Sequence, residues 1–249
     1  MSSVSKAGQR AVAKYVKHNY DRIEVKVPKG YKDSIRVAAD AVGESLNKYI
    51  SKATSERIGK DISGKKTYTI IGGVNGTGKS SLSGVLATQE ASLGVVIDVD
   101  KLTAARGVSP LEGGKLALSL IKECLDNGVS FTQETTLSGY RTRLTASNAC
   151  RQGYYVRLYY IGLNSPEECL ARIANRVARG GHNISEGDVL RRFSGRWEAV
   201  KGVLQYCDEA RFFDNDNGFL EVAEYSDGEL LLKEDTPPEW VLELAAYLM

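Results

Sequence analysis

A glycine-rich octapeptide carries the most specific chemical signal in the chain. It fits the pattern GxxxxGK[ST], reading Gly73-Val74-Asn75-Gly76-Thr77-Gly78-Lys79-Ser80, and stands between a β-rich run and a helical stretch. Glycines let backbone amides turn inward around phosphate oxygens at the start of a helix. The Lys79 ammonium can reach the β- and γ-phosphates, and the Ser80 hydroxyl can bind Mg²⁺. The octapeptide, together with Ser81, therefore predicts binding of a nucleoside triphosphate with magnesium.

Carboxylates and hydroxyls at two later strand ends could bind and activate an acceptor. The run Val96-Ile97-Asp98-Val99-Asp100 predicts a strand that ends in two aspartates, at the sheet edge where α/β proteins bind ligands. Asp100 is the candidate general base, because a carboxylate there can take the proton of a hydroxyl during phosphoryl transfer. Asp98 is a substrate-binding candidate, and a solvated strand end or a helix cap is the alternative for either aspartate. Glu134 and Thr136 end the next predicted strand and could hydrogen-bond a polyhydroxylated acceptor.

Arginines surround a pair of glycines further along the chain. The segment Gly180-Gly181-His182 separates two predicted helices, which carry Arg172, Arg176, Arg179, Arg191 and Arg192. A glycine hinge between such helices is typical of a lid, whose closure brings guanidinium groups onto a transferring phosphoryl group and excludes water. Each arginine taken alone could instead lie on a solvated helix face.

Strand-like and helix-like stretches alternate through the part of the chain that carries these residues. The β-rich runs are Thr67–Gly72, Gly94–Asp98, Val129–Thr135 and Tyr154–Gly162. The helical stretches are Lys79–Gln89, Leu111–Asp126, Arg141–Arg151 and Pro166–Arg179. Three further predicted strands, Glu209–Phe213, Phe219–Tyr225 and Glu229–Lys233, precede a closing helix after Pro237-Pro238. This alternation predicts an α/β fold in which helices cover both faces of a parallel sheet.

Composition narrows the class of protein. The 249 residues are 42% hydrophobic and 26% charged, which is typical of a globular chain. No apolar run approaches the roughly 18 residues that span a bilayer, and the first ten residues lack a signal-peptide core. We therefore expect a cytoplasmic protein without membrane contact. The four cysteines form no CxxC pair and only two histidines are present, which disfavours a zinc site.

Four segments, GGVNGTGKSSL, VIDVDKL, ETTLSG and RVARGGHNISEGDVLRRF, together resemble the zeta-toxin family of P-loop kinases. The resemblance covers about residues 67–216 and implies a P-loop NTPase/kinase domain over residues 67–249. It also implies an ATP- and Mg²⁺-dependent kinase with an alcohol group as acceptor. The best-known members phosphorylate the sugar 3′-hydroxyl of UDP-N-acetylglucosamine and so act as the toxin of a toxin–antitoxin pair.

The resemblance assigns roles to residues that match the motifs of the family. Lys79 and Ser80 match the phosphate-binding and metal-binding positions. Asp100 matches the catalytic base, and Glu134 and Thr136 match acceptor-binding positions.

Later segments match the family less closely. Arg176, Arg191 and Arg192 are the best matches to the arginines of the lid, and Phe213-Asp214-Asn215-Asp216 resembles an Asp-Asn element near the nucleotide. The aromatic-His-Pro stretch that follows the catalytic aspartate in the best-characterised toxins is absent, since residues 101–105 read KLTAA. The acceptor therefore stays open.

The first 60 residues are much more basic than the rest. They hold 13 lysines and arginines against 6 aspartates and glutamates, whereas the remaining 189 residues hold 20 against 25. Arg22–Val27 alternates polar and apolar residues and ends at Pro28, and two predicted helices follow, separated by Gly43. One strand and two helices in about 40 residues cannot bury a core alone. Pairing with a second copy of the chain is therefore predicted.

This unit, residues 21–58, resembles the ribbon-helix-helix fold of Arc-like repressors, in which a two-stranded ribbon enters the DNA major groove. The resemblance implies a homodimer that binds an operator in double-stranded DNA. Arg22, Glu24 and Lys26 would face base edges, and backbone amides near Ser45 would hold phosphate. Residues 1–20 then form a basic arm and residues 59–66 a linker. A dimerisation module with a solvated strand face is the alternative.

Three functions remain open from the sequence. The first is a regulator fused to a kinase, restrained by its N-terminal unit, by DNA or by a separate antitoxin. The second is a transcription regulator that only senses ATP. The third is an antibiotic or metabolite phosphotransferase that does not arrest growth. The motifs do not distinguish ATP from GTP.

Overall fold

The structure, a computed structural model, describes residues 24–88, 93–226 and 228–249. Its contacts divide the chain between Gly64 and Lys65 into an N-terminal and a C-terminal unit. The predicted basic arm and Arg22 lie outside the described residues. In the described ranges, no helix has the length and apolar character needed to cross a membrane.

Two helices, α1 (Tyr31–Ala41) and α2 (Leu46–Ser63), form most of the described part of the N-terminal unit. Gly43 follows α1 with a φ of +67°, a conformation that glycine adopts without a steric penalty and that commonly ends a helix. The Ser45 hydroxyl accepts a hydrogen bond from the backbone N–H of Lys48 at 3.3 Å, as a residue that caps the start of a helix does. The two predicted helices are therefore present.

The predicted strand and linker of this unit differ from the structure. Residues 24–28 form no strand in the single chain, because a strand needs the backbone of a partner. Glu24 and Lys26 are exposed there. Helix α2 continues through the first part of the predicted linker, residues 59–66. That part contains one glycine and no proline, and a single glycine costs a helix only about 1 kcal/mol.

A seven-stranded sheet forms the centre of the C-terminal unit. Its strands are β1 (Thr67–Gly72), β2 (Val95–Asp98), β3 (Phe131–Thr135), β4 (Tyr155–Gly162), β5 (Glu209–Asp214), β6 (Leu220–Ser226) and β7 (Glu229–Leu232). They lie in the order β2-β3-β1-β4-β5-β6-β7. The first five are parallel, whereas β6 and β7 are antiparallel to their neighbours.

Helices flank this sheet. They are α3 (Lys79–Thr88), α4 (Val99–Arg106), α5 (Pro110–Asn127), α6 (Tyr140–Arg151), α7 (Pro166–Ala178), α8 (Glu186–Ser194), α9 (Arg196–Leu204) and α10 (Glu239–Leu248). The predicted strands and helices of this unit agree with the observed bounds to within two residues. With a glycine-rich loop between β1 and α3, the arrangement is that of a P-loop protein. The predicted α/β class is confirmed.

The parallel order brings the predicted site residues to one edge of the sheet. Strand β1 is buried along its whole length and lies between β3 and β4. The glycine-rich loop follows β1, Asp98 ends β2, and Thr135 ends β3. Since the carboxyl ends of parallel strands share an edge, these three segments meet there.

Helix α10 closes the sheet over β4 with a tryptophan. Trp240 is completely buried, and its indole N–H donates to Oδ1 of Asp214 at 2.8 Å. A Cβ at Gly162 would lie 2.5 Å from the indole ring, so only glycine allows the ring to approach β4 this closely. The tryptophan thereby links α10 to the end of β5.

Candidate phosphate-binding and acceptor site

The glycine-rich loop lies between the end of β1 and the first turn of α3. Gly78 has a φ of +101°, and a Cβ there would lie 2.5 Å from Nδ2 of Asn215. Both the backbone conformation and the space therefore require glycine. The Lys79 ammonium donates to the carbonyl oxygens of Gly73 at 2.9 Å and Val74 at 3.0 Å, which keeps it over the loop.

Burial disfavours the charged form of the Lys79 side chain. Loss of water around the ammonium lowers the pKa of Lys79 to about 8 from its ordinary value of 10.5. The negative charges of Glu134, Asp100 and Asp98 act in the opposite direction and raise it. The desolvation is the larger effect.

We expect the affinity for ATP to fall as the pH rises above about 8. A bound triphosphate favours charged Lys79, and above this pH the free protein carries a neutral amine that must take up a proton on binding. The dissociation constant then rises by up to about tenfold per pH unit. Calorimetry with Mg²⁺ and ATP at pH values below and above 8 measures this change. Lys79→Arg stays charged and should abolish this pH dependence. Equal affinities of the wild type across the pH range would contradict the lowered pKa of Lys79.

A cavity of about 510 Å³ opens at this edge of the sheet. The predicted nucleotide-binding residues that line it are Asn75, Gly76, Gly78, Lys79, Ser80 and Ser81. The predicted acceptor and lid residues that line it are Asp98, Asp100, Glu134, Thr136, Arg176 and Arg192. The remaining loop residues, Gly73, Val74 and Thr77, are buried. Segments far apart in sequence thus share one cavity.

Glu134 contacts the first turns of α3. Its Oε2 accepts a hydrogen bond from the Ser80 hydroxyl at 2.7 Å, and its Oε1 accepts one from the Ser83 hydroxyl at 2.6 Å. The Lys101 ammonium lies 3.7 Å from Oε1. The side chain is only 4% exposed. Both carboxylate oxygens are therefore occupied by the serines next to the phosphate loop, a contact that the sequence did not indicate.

Asp98 and Asp100 differ in what their carboxylates contact. Asp98 caps α4, since its Oδ1 accepts the backbone N–H groups of Asp100 at 3.0 Å and Lys101 at 3.2 Å. This cap ends β2 at Asp98, in agreement with the predicted run Gly94–Asp98. The expectation that Asp100 also lies at the end of the strand is wrong, because Asp100 lies in the first turn of α4. Among the described residues, the Asp100 carboxylate has no hydrogen bond or ion pair, which leaves it available to a ligand.

Thr136 lies in a tight turn after β3. Its hydroxyl is 2.8 Å from the hydroxyl of Ser138. Leu137 between them has a φ of +59° and is buried, although leucine rarely adopts this backbone conformation. The Leu137 N–H donates to Oγ1 of Thr135 at 3.1 Å. Packing and this hydrogen bond hold the strained turn, which places Thr136 at the cavity.

Three of the five predicted lid arginines line the cavity, and two of these, Arg176 and Arg192, each make one hydrogen bond. Arg192 donates from Nη1 to Oδ1 of Asn75 at 2.5 Å. Arg176 donates from Nη2 to the carbonyl oxygen of His182 at 2.7 Å. Both guanidinium groups keep further donors for an anion.

Arg191 does not line the cavity. It is exposed and donates to Oδ1 of Asp188 at 2.7 Å. Adjacent residues of a helix point about 100° apart, and Arg192 occupies the position that faces the cavity. Its prediction as a lid arginine at the phosphate site is therefore corrected. Arg172 lines the cavity and donates to the carbonyl oxygen of Asn215 at 2.7 Å.

The segment after β5 contacts the phosphate loop. The Asn215 side-chain amide donates to the carbonyl oxygen of Thr77 at 2.8 Å. Asp214 is buried, and its Oδ2 accepts the backbone N–H of Asp216 at 3.0 Å. The predicted Asp-Asn element therefore lies beside the phosphate loop. Asn215 contacts the loop, whereas Asp214 accepts a hydrogen bond from Trp240.

Solved structures of the AvrRxo1-ORF1:-ORF2 complex share this fold. The AvrRxo1-ORF1:-ORF2 complex with ATP is 14% identical, with a TM-score of 0.55 over 93% of this chain and 81% of that chain. The same complex with sulphate ions is 15% identical, with a TM-score of 0.53 over 100% and 80% of the two chains. A structure from the PezAT chromosomal toxin-antitoxin system of Streptococcus pneumoniae is 18% identical, with a TM-score of 0.48 over 72% and 76%.

At the level of sequence, no family model matches the chain. The chain is 35% identical over 128 residues to an uncharacterized protein of Haemophilus influenzae, a match that spans 49% of this chain and 88% of that protein. The chain therefore belongs to the same family as this Haemophilus influenzae protein.

Proposed function

We propose that the chain is a kinase of the zeta-toxin type, which transfers the γ-phosphoryl group of ATP to a hydroxyl group of a small molecule. One observation carries the proposal: Lys79 of the phosphate loop, the Asp100 carboxylate and the Arg192 guanidinium line a single cavity. The fold that this chain shares with the AvrRxo1-ORF1:-ORF2 complex with ATP supports the proposal. A sugar nucleotide resembling UDP-N-acetylglucosamine is the first acceptor to test.

The loop would hold the triphosphate, with Lys79 on the β- and γ-phosphates. The oxygen atoms of this site fit Mg²⁺ as ligands, because Mg²⁺ binds oxygen and usually needs only one or two protein ligands beside phosphates and water. The Ser80 hydroxyl donates a hydrogen bond to Oε2 of Glu134 at 2.7 Å, so the lone pairs of the Ser80 oxygen are available to the ion. Bound there, Mg²⁺ would neutralise charge on the phosphate oxygens.

Asp100 would accept the proton of the acceptor hydroxyl as the hydroxyl oxygen attacks the γ-phosphorus atom. The bond from this phosphorus to the oxygen that bridges to the β-phosphate breaks, and ADP leaves. Arg176 and Arg192 would stabilise the negative charge on the transferring group. Thr136 would hydrogen-bond other hydroxyls of the acceptor, and Asp98 would fix the start of α4 and so the place of Asp100. Phosphoryl transfer depends mainly on positioning and charge neutralisation, which these residues provide.

Incubation with Mg²⁺, ATP and separate panels of UDP-sugars and hydroxylated antibiotics tests this proposal. Mass spectrometry should detect one phosphorylated acceptor, and Lys79→Ala should produce none. A product from the antibiotic panel alone would favour the phosphotransferase alternative. Nucleotide binding without any phosphorylated acceptor would favour a regulator that only senses ATP.

We also propose that the N-terminal unit binds operator DNA as a homodimer, in a cytoplasmic protein that a separate antitoxin could restrain. Val25 and Val27 are 70% and 41% exposed in the single chain, and a second copy would cover them. The basic charge of the first 60 residues favours a polyanionic partner. Light scattering should give a dimer, and a gel shift with the upstream DNA should weaken in Lys26→Glu. A monomer that leaves this DNA unshifted would contradict both claims.

A further inference from the structure

Two non-glycine residues of the phosphate loop contact helix α8. Val74 and Asn75 are 2% and 8% exposed, although a phosphate loop needs mainly its backbone to hold an anion. Val74 belongs to an apolar cluster that includes Val189 and Phe193 of α8. The loop and this helix therefore share one apolar cluster.

Asn75 adds a directed contact to this packing. Its Oδ1 accepts a hydrogen bond from Nη1 of Arg192 at 2.5 Å. Arg192 lies between Val189 and Phe193 in sequence, so the packing of α8 fixes its backbone while Asn75 fixes its guanidinium group. A hydrogen bond to a charged donor is stronger than one between neutral groups.

The guanidinium group keeps donors for a ligand. The Nε of Arg192 is buried and has no hydrogen-bond partner among the described residues. The donors open to a ligand are therefore the N–H groups of the two terminal nitrogens, which are four of the five donors of a guanidinium. Asn75 uses one of them. Since both residues line the cavity beside Lys79 and Ser80, the remaining donors lie next to the place of the phosphates.

We propose that Asn75 is a positioning residue, which holds the guanidinium group of Arg192 at the phosphate site. Arg192 would contact the terminal phosphate from this position, whereas Arg176 donates to the carbonyl oxygen of His182 in the glycine segment. This inference rests on the proposed nucleotide binding but not on the identity of the acceptor.

Calorimetry with Mg²⁺ tests it, using ADP and a non-hydrolysable ATP analogue as probes. The ratio of their dissociation constants reports contacts to the terminal phosphate. We expect Arg192→Ala to reduce the preference for the triphosphate about tenfold, the loss of one charged hydrogen bond. Asn75→Ala should reduce it about fivefold, and the double variant should match Arg192→Ala, because both changes remove one interaction.

Further variants separate positioning from folding. Asn75→Leu keeps the size of the side chain but not its acceptor oxygen, and should repeat the result of Asn75→Ala. Asn127→Ala, on the exposed side of α5, should leave the ratio unchanged. Effects of Asn75→Ala and Arg192→Ala that multiply, or an unchanged ratio in either, would overturn the proposal while the kinase assignment stands. A wild type that binds neither probe would overturn both.

Discussion

Asp100→Asn should lower kcat by a factor of about 10²–10⁴, the range over which a positioned general base contributes. The amide cannot take the proton of an acceptor hydroxyl, although its shape is nearly that of the carboxylate. The Asp100 side chain has no hydrogen bond or ion pair in the described part of the chain, so the exchange breaks no contact there. Initial rates at saturating ATP, with the acceptor that the screen of UDP-sugars and hydroxylated antibiotics yields, measure the effect.

Two controls make this result specific to the chemical step. The dissociation constant of ATP should change by less than about threefold, because the phosphate loop is untouched. Asp126→Asn removes an exposed aspartate that pairs with Lys122 on α5, and should leave kcat unchanged. A rate within tenfold of the wild type in Asp100→Asn would remove the aspartate from the role of base.

Trp240→Ala should destabilise the C-terminal unit by about 3–5 kcal/mol, as the loss of a fully buried aromatic side chain does. The substitution empties the space beside Gly162 and leaves Oδ1 of the buried Asp214 without its indole donor. Urea denaturation followed by circular dichroism measures the free energy of unfolding.

The matched control lies on the same helix. Leu242 is 49% exposed, and Leu242→Ala should cost less than about 1 kcal/mol. Trp240→Phe keeps most of the apolar volume and should fall between the two. A loss below about 1 kcal/mol in Trp240→Ala would mean that α10 does not stabilise the sheet.

Local patterns were sufficient to predict much of the C-terminal unit. The loop between β1 and α3 follows from glycines that only a tight phosphate-binding turn requires, and the parallel sheet follows from alternating strand and helix patterns. The edge shared by Asp100, Glu134 and Thr136 follows from the sheet, because carboxyl ends of parallel strands lie together.

Contacts between distant segments could not be predicted in the same way. The hydrogen bonds that Glu134 accepts from Ser80 and Ser83 span more than 50 residues, and no periodicity encodes them. The bond between Asn75 and Arg192 is of the same kind. The start of α4 was missed for a local reason, since Asp98 reads equally well as a strand end and as a helix cap.

Several separate segments hold the phosphate loop, and their contacts affect the rate constant of nucleotide association. Val74 packs against α8, Asn75 bonds to Arg192, and Asn215 bonds to the loop carbonyl of Thr77. A loop already held in this way loses little conformational entropy when a triphosphate arrives. Association should then be limited by diffusion and charge attraction rather than by slow ordering of the loop.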